Sequence, residues 1–276
     1  MFATTGKPAR GGADLAEPPT APRIGRSGHA TVRAVSRALA VLRAFTPARP
    51  RLSLAEAAQA AGLDKGTTRR LLLTLIDEGL VRQDPASQRY ALTLRMIALA
   101  GAVETGGLRE EARPVMARLA AATGATVFLS VPDRPGALCL ERVHGHDPVR
   151  VQWWGVGSHM PWNCGAGPHV LLASMDAQEV AEALDHPRAL TPHSATDVAH
   201  LREHFATIRA RGFEVTVDDV VVGLAAVAVP VRDAADRTVA ALSLGGLRGA
   251  LLTADGAPRW LDALRAAASE ISSHLR

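Results

Sequence analysis

LSLAEAAQAAGLDKGTTRRLLLTLIDEGLV, residues 52–81, holds two helix starts separated by one tight glycine turn. Ser53 offers a hydroxyl to an opening helix, and Glu56, three residues on, reaches back to it, the S-x-x-E capping box. That helix runs through alanine-rich positions and stops at Gly62. Asp64 is the N-cap of the next, which places Leu71, Leu72, Leu75 and Ile76 on one apolar face and ends at Gly79. Upstream, from Thr31, Val35, Leu39, Leu42 and Phe45 recur at helical spacing, so they are expected to form one buried stripe, closed by Pro47 and Pro50. Downstream, 80–83 and 88–92 are strand-like and flank Asp84-Pro85-Ala86-Ser87, a hairpin. Three short helices followed by a hairpin make a winged helix-turn-helix.

The exposed side of the third helix carries Lys65, Thr67, Arg69, Arg70 and Thr74. A helix laid in the DNA major groove needs such groups: guanidinium forks for guanine edges or phosphate, hydroxyls for bases or backbone. Arg33, Arg37, Arg82 and Arg89 stand where they would neutralise flanking phosphates. Arg23 and Arg26 in the arm would join them, although a merely solvated tail is the simpler account of those two. The competing reading is an arginine-rich solvated surface. Charge distribution favours a polyanion partner: residues 1–100 hold 15 basic and 7 acidic residues, net +8, and residues 101–276 hold 16 and 20, net −4, within an overall +4.

At 276 residues and 47% hydrophobic, the chain is long and apolar enough for two compact domains. Residues 1–30, rich in Gly, Pro, Ala and Thr, are expected to be a disordered arm, 31–92 the winged helix-turn-helix, 93–107 a linker helix and 108–276 a ligand-binding and oligomerisation domain. Within the last, strands are expected at 125–131, 137–143, 148–154, 213–217, 224–231 and 238–244. Helices at 108–122, 166–174, 176–184, 197–211 and 257–275 make it α+β. Val220–Val231, the longest apolar run, is broken by Gly223 and Pro230 and falls short of the roughly 20 residues that cross a bilayer. No secretory h-region opens the chain, so a cytoplasmic protein is expected. Cys139 and Cys164 lack any paired spacing and are expected to be reduced, packed thiols.

The segments AVSRALAVLRAF, LSLAEAAQAAGLDKGTTRRLLLTLIDEGLV and RYALT resemble the DNA-binding domain of IclR-type transcriptional regulators. NCGAGPHVLLAS, RARGFEVTVDD, GLAAVAVPVRD and AALSLGG are similar to successive landmarks of that family's effector domain, so the likeness spans about residues 31–275. It implies a GAF-like C-terminal domain with an antiparallel sheet, a homodimer or homotetramer, and a partly palindromic double-stranded DNA operator. It places Lys65, Thr67, Arg69 and Arg70 on the recognition helix. Gly66 departs from the usual serine, removing a hydroxyl and some helix propensity. The same resemblance implies an effector pocket built from Gly165 and Ala166, from Thr216 where an acidic residue is common, from Ala226 where a cysteine is common, and from Ser243 and Gly245. Strand alternation puts Ser243 and Gly245 on one face with Ala241, and Leu242 and Leu244 on the other.

So few polar groups suit an apolar effector larger than a small oxoacid. Trp153, Trp154 and Trp162 cluster in a chain that is only 4% aromatic, and an aromatic wall would stack on a ring. Trp153 and Trp162 are the expected wall residues, core filling the competing reading, and an aromatic or apolar acid the expected effector. Arg142, Arg150 or His159 would pair with its carboxylate, unless each is simply an exposed charge. No cofactor is called for. Phosphate-loop, dinucleotide and Gly-x-Ser-x-Gly motifs are absent. His144/His146 and the i, i+4 pair His200/His204 have metal-ligand spacings but no companion carboxylate or cysteine cluster, and no metal site is expected from them. The resulting expectation is a ligand-responsive, DNA-binding transcriptional regulator of a metabolic operon, not an enzyme. Two alternatives stand: a DNA-targeted enzyme centred on His144 and His146, and an architectural DNA binder with no small ligand.

Overall fold

The computed structural model describes residues 32–46, 48–103, 107–148, 151 and 154–275; the arm, with Arg23 and Arg26, and the positions of Arg150 and Trp153 lie outside these. Between Met96 and Ile97 the chain divides into two compact units.

The first unit contains α1 (Arg33–Arg43), β1 (Arg51–Leu52), α2 (Leu54–Ala61), α3 (Lys65–Asp77), β2 (Val81–Gln83) and β3 (Tyr90–Leu92). Ser53 and Glu56 form the full capping box, and α2 ends on Gly62 at φ +65°, a left-handed turn that glycine enters without strain. Its core joins Val41, Ala44, Phe45, Leu52, Ala57, Leu72, Leu75, Val81 and Tyr90. Two expectations need correction here. Val35 and Leu39 are 56% and 43% exposed, because α1 docks on α2 and α3 through Val41, Ala44 and Phe45 near its C-terminal end. The wing is also three-stranded, not two-stranded, since Arg51 and Leu52 pair antiparallel with Ala91 and Tyr90. A two-residue strand is too short to show a period of 2. Then comes α4 (Arg95–Gly101), shorter than the expected linker helix and with no buried residue.

The second unit is a six-stranded antiparallel sheet covered on both faces. Its elements are α5 (Leu108–Thr123), β4 (Thr126–Pro132), β5 (Ala137–Val143), β6 (His159–Met160), α6 (Ala166–Ala173), α7 (Ala177–Ala183), α8 (Val198–Arg211), β7 (Glu214–Val217), β8 (Leu224–Arg232), β9 (Thr238–Leu247), α9 (Arg248–Leu251) and α10 (Leu261–His274). Strand order is β6-β5-β4-β9-β8-β7. Alternation sends Val127, Leu129, Val227, Val229, Leu242 and Leu244 to a core under α5 and α10. Phe128, Ala228 and Ala241 go to a second core under α6 and α8.

The strand expected at 148–154 is absent among its described residues. The Arg142 guanidinium donates to the carbonyls of Val151 (3.4 Å) and Trp154 (3.0 Å), which therefore have a side chain, not a neighbouring strand, as partner. The sheet edge is β6 instead. Cys139 and Cys164 are buried and free, and burial pushes both thiols up to about 12. Native protein at pH 8 is therefore expected to resist an aromatic disulfide reagent until denaturant is added, and rapid labelling of either cysteine in the folded state would contradict this packing.

Candidate functional site

Two places concentrate the residues singled out from the sequence. On α3, the Asp64 carboxylate accepts from Thr67 N–H at 2.8 Å, and the buried Thr68 hydroxyl donates to the Asp64 carbonyl at 2.8 Å. These bonds fix the first turn, while Leu72 and Leu75 seat the helix in its core. The opposite side then exposes Lys65, Arg69, Arg70 and Thr74, with Thr67 half-buried beside them. None of Lys65, Arg69 and Arg70 has an ion-pair partner among the described residues. Arg33, Arg37 and Arg82 are exposed as well.

Arg89 differs. Its guanidinium donates to both Glu56 oxygens, at 2.9 and 2.7 Å, and ties the wing to the start of α2. The Ser53 backbone N–H, the Ser53 hydroxyl and Arg89 together hold the Glu56 carboxyl down at about 2. Arg89 is thus engaged within the unit, unlike the other arginines named for phosphate contact.

The second place is a cavity of about 50 Å³ in the sheet unit, between the start of α6 and the sheet face that carries Ser243. The register explains why the positions named from sequence meet. Thr216 is opposite Ala226 across β7 and β8, Ala226 is opposite Gly245 across β8 and β9, and Ser243 is opposite Phe128 on β4. All four sequence-named strand positions line the cavity, as do Gly165 and Ala166 at the start of α6. Gly167 allows α6 to lie close on the sheet, since a Cβ there would sit 3.0 Å from Ser130 Oγ and 3.7 Å from Ser243 Oγ.

Of the expected aromatic wall, Trp153 lies outside the described residues and only Trp162 can be placed. Trp154, not Trp162, lines the cavity, and it stacks on Phe128 with centroids 5.2 Å apart at 24°. Trp162 is buried in the adjoining core without reaching the cavity. Arg142 is turned to backbone carbonyls and His159 pairs with Asp133 at 2.8 Å; neither lines the cavity.

Asp219 escaped notice in the sequence. It is 7% exposed, its Oδ2 accepts from Gly165 N–H at 2.6 Å, and its Oδ1 is buried with no hydrogen-bond partner among the described residues. Burial raises its carboxyl above the ordinary 3.8, against the lowering effect of the Gly165 N–H. It sits in an irregular loop after β7, where no periodicity marks it. No Lys, Arg or His is among the described residues lining the cavity.

The histidine pairs do not assemble as the spacing suggested. His144 Nδ1 is 3.2 Å from Thr126 Oγ1, and no third ligand converges on His144 and His146 among the described residues. His200 and His204 stack ring on ring at 6.5 Å.

Comparison with known proteins matches residues 34–85 to the IclR helix-turn-helix domain and residues 100–273 to the bacterial transcriptional regulator IclR C-terminal domain. A glycerol operon regulatory protein of Streptomyces griseus is 33% identical over 248 residues, covering 88% of this chain and 96% of that one. Among solved structures, an IclR transcriptional regulator from Alicyclobacillus acidocaldarius superposes with a TM-score of 0.76 at 28% identity, over 88% of this chain and 99% of the other. An IclR homologue from Microbacterium hydrocarbonoxydans, solved with 4-hydroxybenzoate, shares the fold at a TM-score of 0.77 and 24% identity, over 88% and 99%.

Proposed function

The chain belongs to the IclR family of bacterial transcriptional regulators, and on that premise we propose how its two sites divide the work. The family comprises regulators and not enzymes, which removes the reading centred on His144 and His146. Residues 31–92 bind duplex DNA, 93–107 link, and 108–276 receive a small effector and assemble copies. Lys65, Thr67, Arg69, Arg70 and Thr74 enter the major groove, while Arg33, Arg37 and Arg82 meet flanking phosphates. Two copies read a partly palindromic operator. The apolar side chains left exposed on the first unit and its linker, Val35, Leu39, Leu94 and Ile97, support association of copies as a homodimer or homotetramer. The work is done in the cytoplasm, where the operator is; no helix among the described residues is long and apolar enough to cross a membrane.

One observation carries the ligand-responsive part: the cavity lining is apolar except for Thr216, Ser243 and Asp219, and Asp219 Oδ1 has no hydrogen-bond partner among the described residues. A buried acceptor without a donor costs on the order of 1–3 kcal/mol, and a ligand that donates to it recovers that energy. A carboxylate effector would face this group with no countercharge from the described lining. The effector is therefore a neutral molecule with a hydroxyl or amide donor for Asp219, an apolar or ring portion against Phe128 and Trp154, and a second polar contact at Ser243. Of the expected aromatic or apolar acid, this keeps the apolar part and drops the acid. A cavity of about 150 Å³ holds benzene, so the present 50 Å³ admits a ring only if lining residues move outward. Effector binding of one quaternary arrangement over another then changes half-site spacing, and a coupling of about 1–3 kcal/mol alters operator affinity roughly 5- to 150-fold.

Binding-site selection from random duplexes followed by a thermal-shift panel tests this. The selected sites are expected to share an inverted repeat, and neutral phenols to raise the melting temperature more than the matching carboxylic acids do, with the preference lost in Asp219→Asn. Acids stabilising better than neutral ligands in wild type would refute the effector class and leave the DNA reading intact.

A further inference from the structure

A second buried polar cluster lies behind the cavity wall, where α6, α8 and β7 meet. We propose that His169, His204 and Glu214 form a binding site for one divalent transition-metal ion of the zinc class. Each contributes a donor atom lying within 4.8 Å of the other two. His204 Nε2 is 2.8 Å from Glu214 Oε1, and His169 Nδ1 is 3.4 Å from the same oxygen. Around a tetrahedral zinc with bonds of about 2.0–2.2 Å, neighbouring donor atoms are about 3.3 Å apart, so these spacings bracket what the ion requires. A set of two imidazoles and one carboxylate suits zinc, and also cobalt or iron(II), better than magnesium or calcium.

The surroundings fit a metal ion as well as the donors do. Glu214 is 1% exposed, and its other oxygen is taken by the Arg211 guanidinium, which fixes the carboxylate with Oε1 turned to the imidazoles. The His204 side chain is 32% exposed and the His169 side chain 4%, so the cluster opens to solvent on the His204 side. That side supplies an entry path and room for water as a fourth ligand.

Among the described residues, the buried side-chain polar atoms without a partner are His169 Nε2 and Asp219 Oδ1. When metal takes Nδ1, the proton resides on Nε2, which becomes a donor, while Asp219 Oδ1 is an acceptor. Asp219 accepts from Gly165 N–H, and the Gly165 carbonyl accepts from His169 N–H at 3.3 Å. The i, i+4 spacing of His200 and His204 pointed to the wrong companion, since the ligands that join His204 come from other elements.

The consequence reaches the neighbouring cavity. α6 supplies Ala166 to its wall, preceded by its N-cap Gly165, and β7 supplies Thr216, so the ion joins two walls of the cavity to α8. The metal site stands on its own geometry and does not depend on which effector the cavity takes.

The test uses full-length, tag-free protein stripped with chelator and titrated with zinc chloride, with metal content measured after gel filtration. One zinc per chain and a melting temperature raised by several degrees are expected, together with a visible ligand-field spectrum when cobalt(II) replaces zinc. Because Glu214 and His169 are buried and their variants could fail to fold, the decisive variant is His204→Ala, with His200→Ala as the control. His204→Ala is expected to weaken zinc binding at least 100-fold and to lose the cobalt spectrum, while His200→Ala keeps both. Absence of stoichiometric zinc in wild type, or equal binding by wild type and His204→Ala, overturns the site and leaves a purely hydrogen-bonded ion cluster.

Discussion

Alanine at both Arg69 and Arg70 is expected to weaken operator binding by roughly 30-fold or more, since each arginine reading a base edge contributes about 1–3 kcal/mol. Both side chains are exposed and without ion-pair partners among the described residues, so the fold stays intact; surface changes of this kind usually shift stability by less than about 0.5 kcal/mol. Fluorescence anisotropy at several salt concentrations separates their roles. An arginine on phosphate lowers the salt dependence by roughly one unit of slope when removed and weakens all sequences alike, whereas one on a base edge relaxes preference at a single position. Operator affinity within twofold of wild type in the double variant would remove α3 from the interface.

The second large effect is expected at Gly245. A Cβ there would lie 3.0 Å from Phe128 Cε2 and 3.8 Å from Val151 Cγ2, inside the cavity. Valine suits a strand backbone, and overpacking costs about 1–3 kcal/mol, which a domain with two cores tolerates. A cavity of about 50 Å³ cannot hold both an isopropyl group and an effector. Gly245→Val should therefore abolish the change in operator affinity on adding effector while leaving ligand-free DNA binding near the wild-type value. A dose response equal to that of wild type would place the effector elsewhere.

The winged unit was legible because its signals are local. Ser53, Glu56, Gly62 and Asp64 act on residues three or four positions away, so their spacing in sequence is already their spacing in space. Strand parity served equally well: Ser243 and Gly245 share a face because side chains alternate, and that face is the cavity wall. What was missed depends on contacts between distant segments. The first helix showed its stripe, but which end of it packs is decided by α2 and α3. Trp154, not Trp162, meets Phe128 at the cavity, and Phe128 comes from a strand distant in sequence. Asp219 and the Glu214 cluster carry no pattern, since three elements have to fold before their polar atoms face each other.

Glu56 has a wider meaning than its position suggests. One carboxylate both caps the start of α2 and accepts from Arg89 of the wing, so a single side chain couples the wing to the opening of α2. Replacing Glu56 would therefore be felt at the helix start and at the wing together.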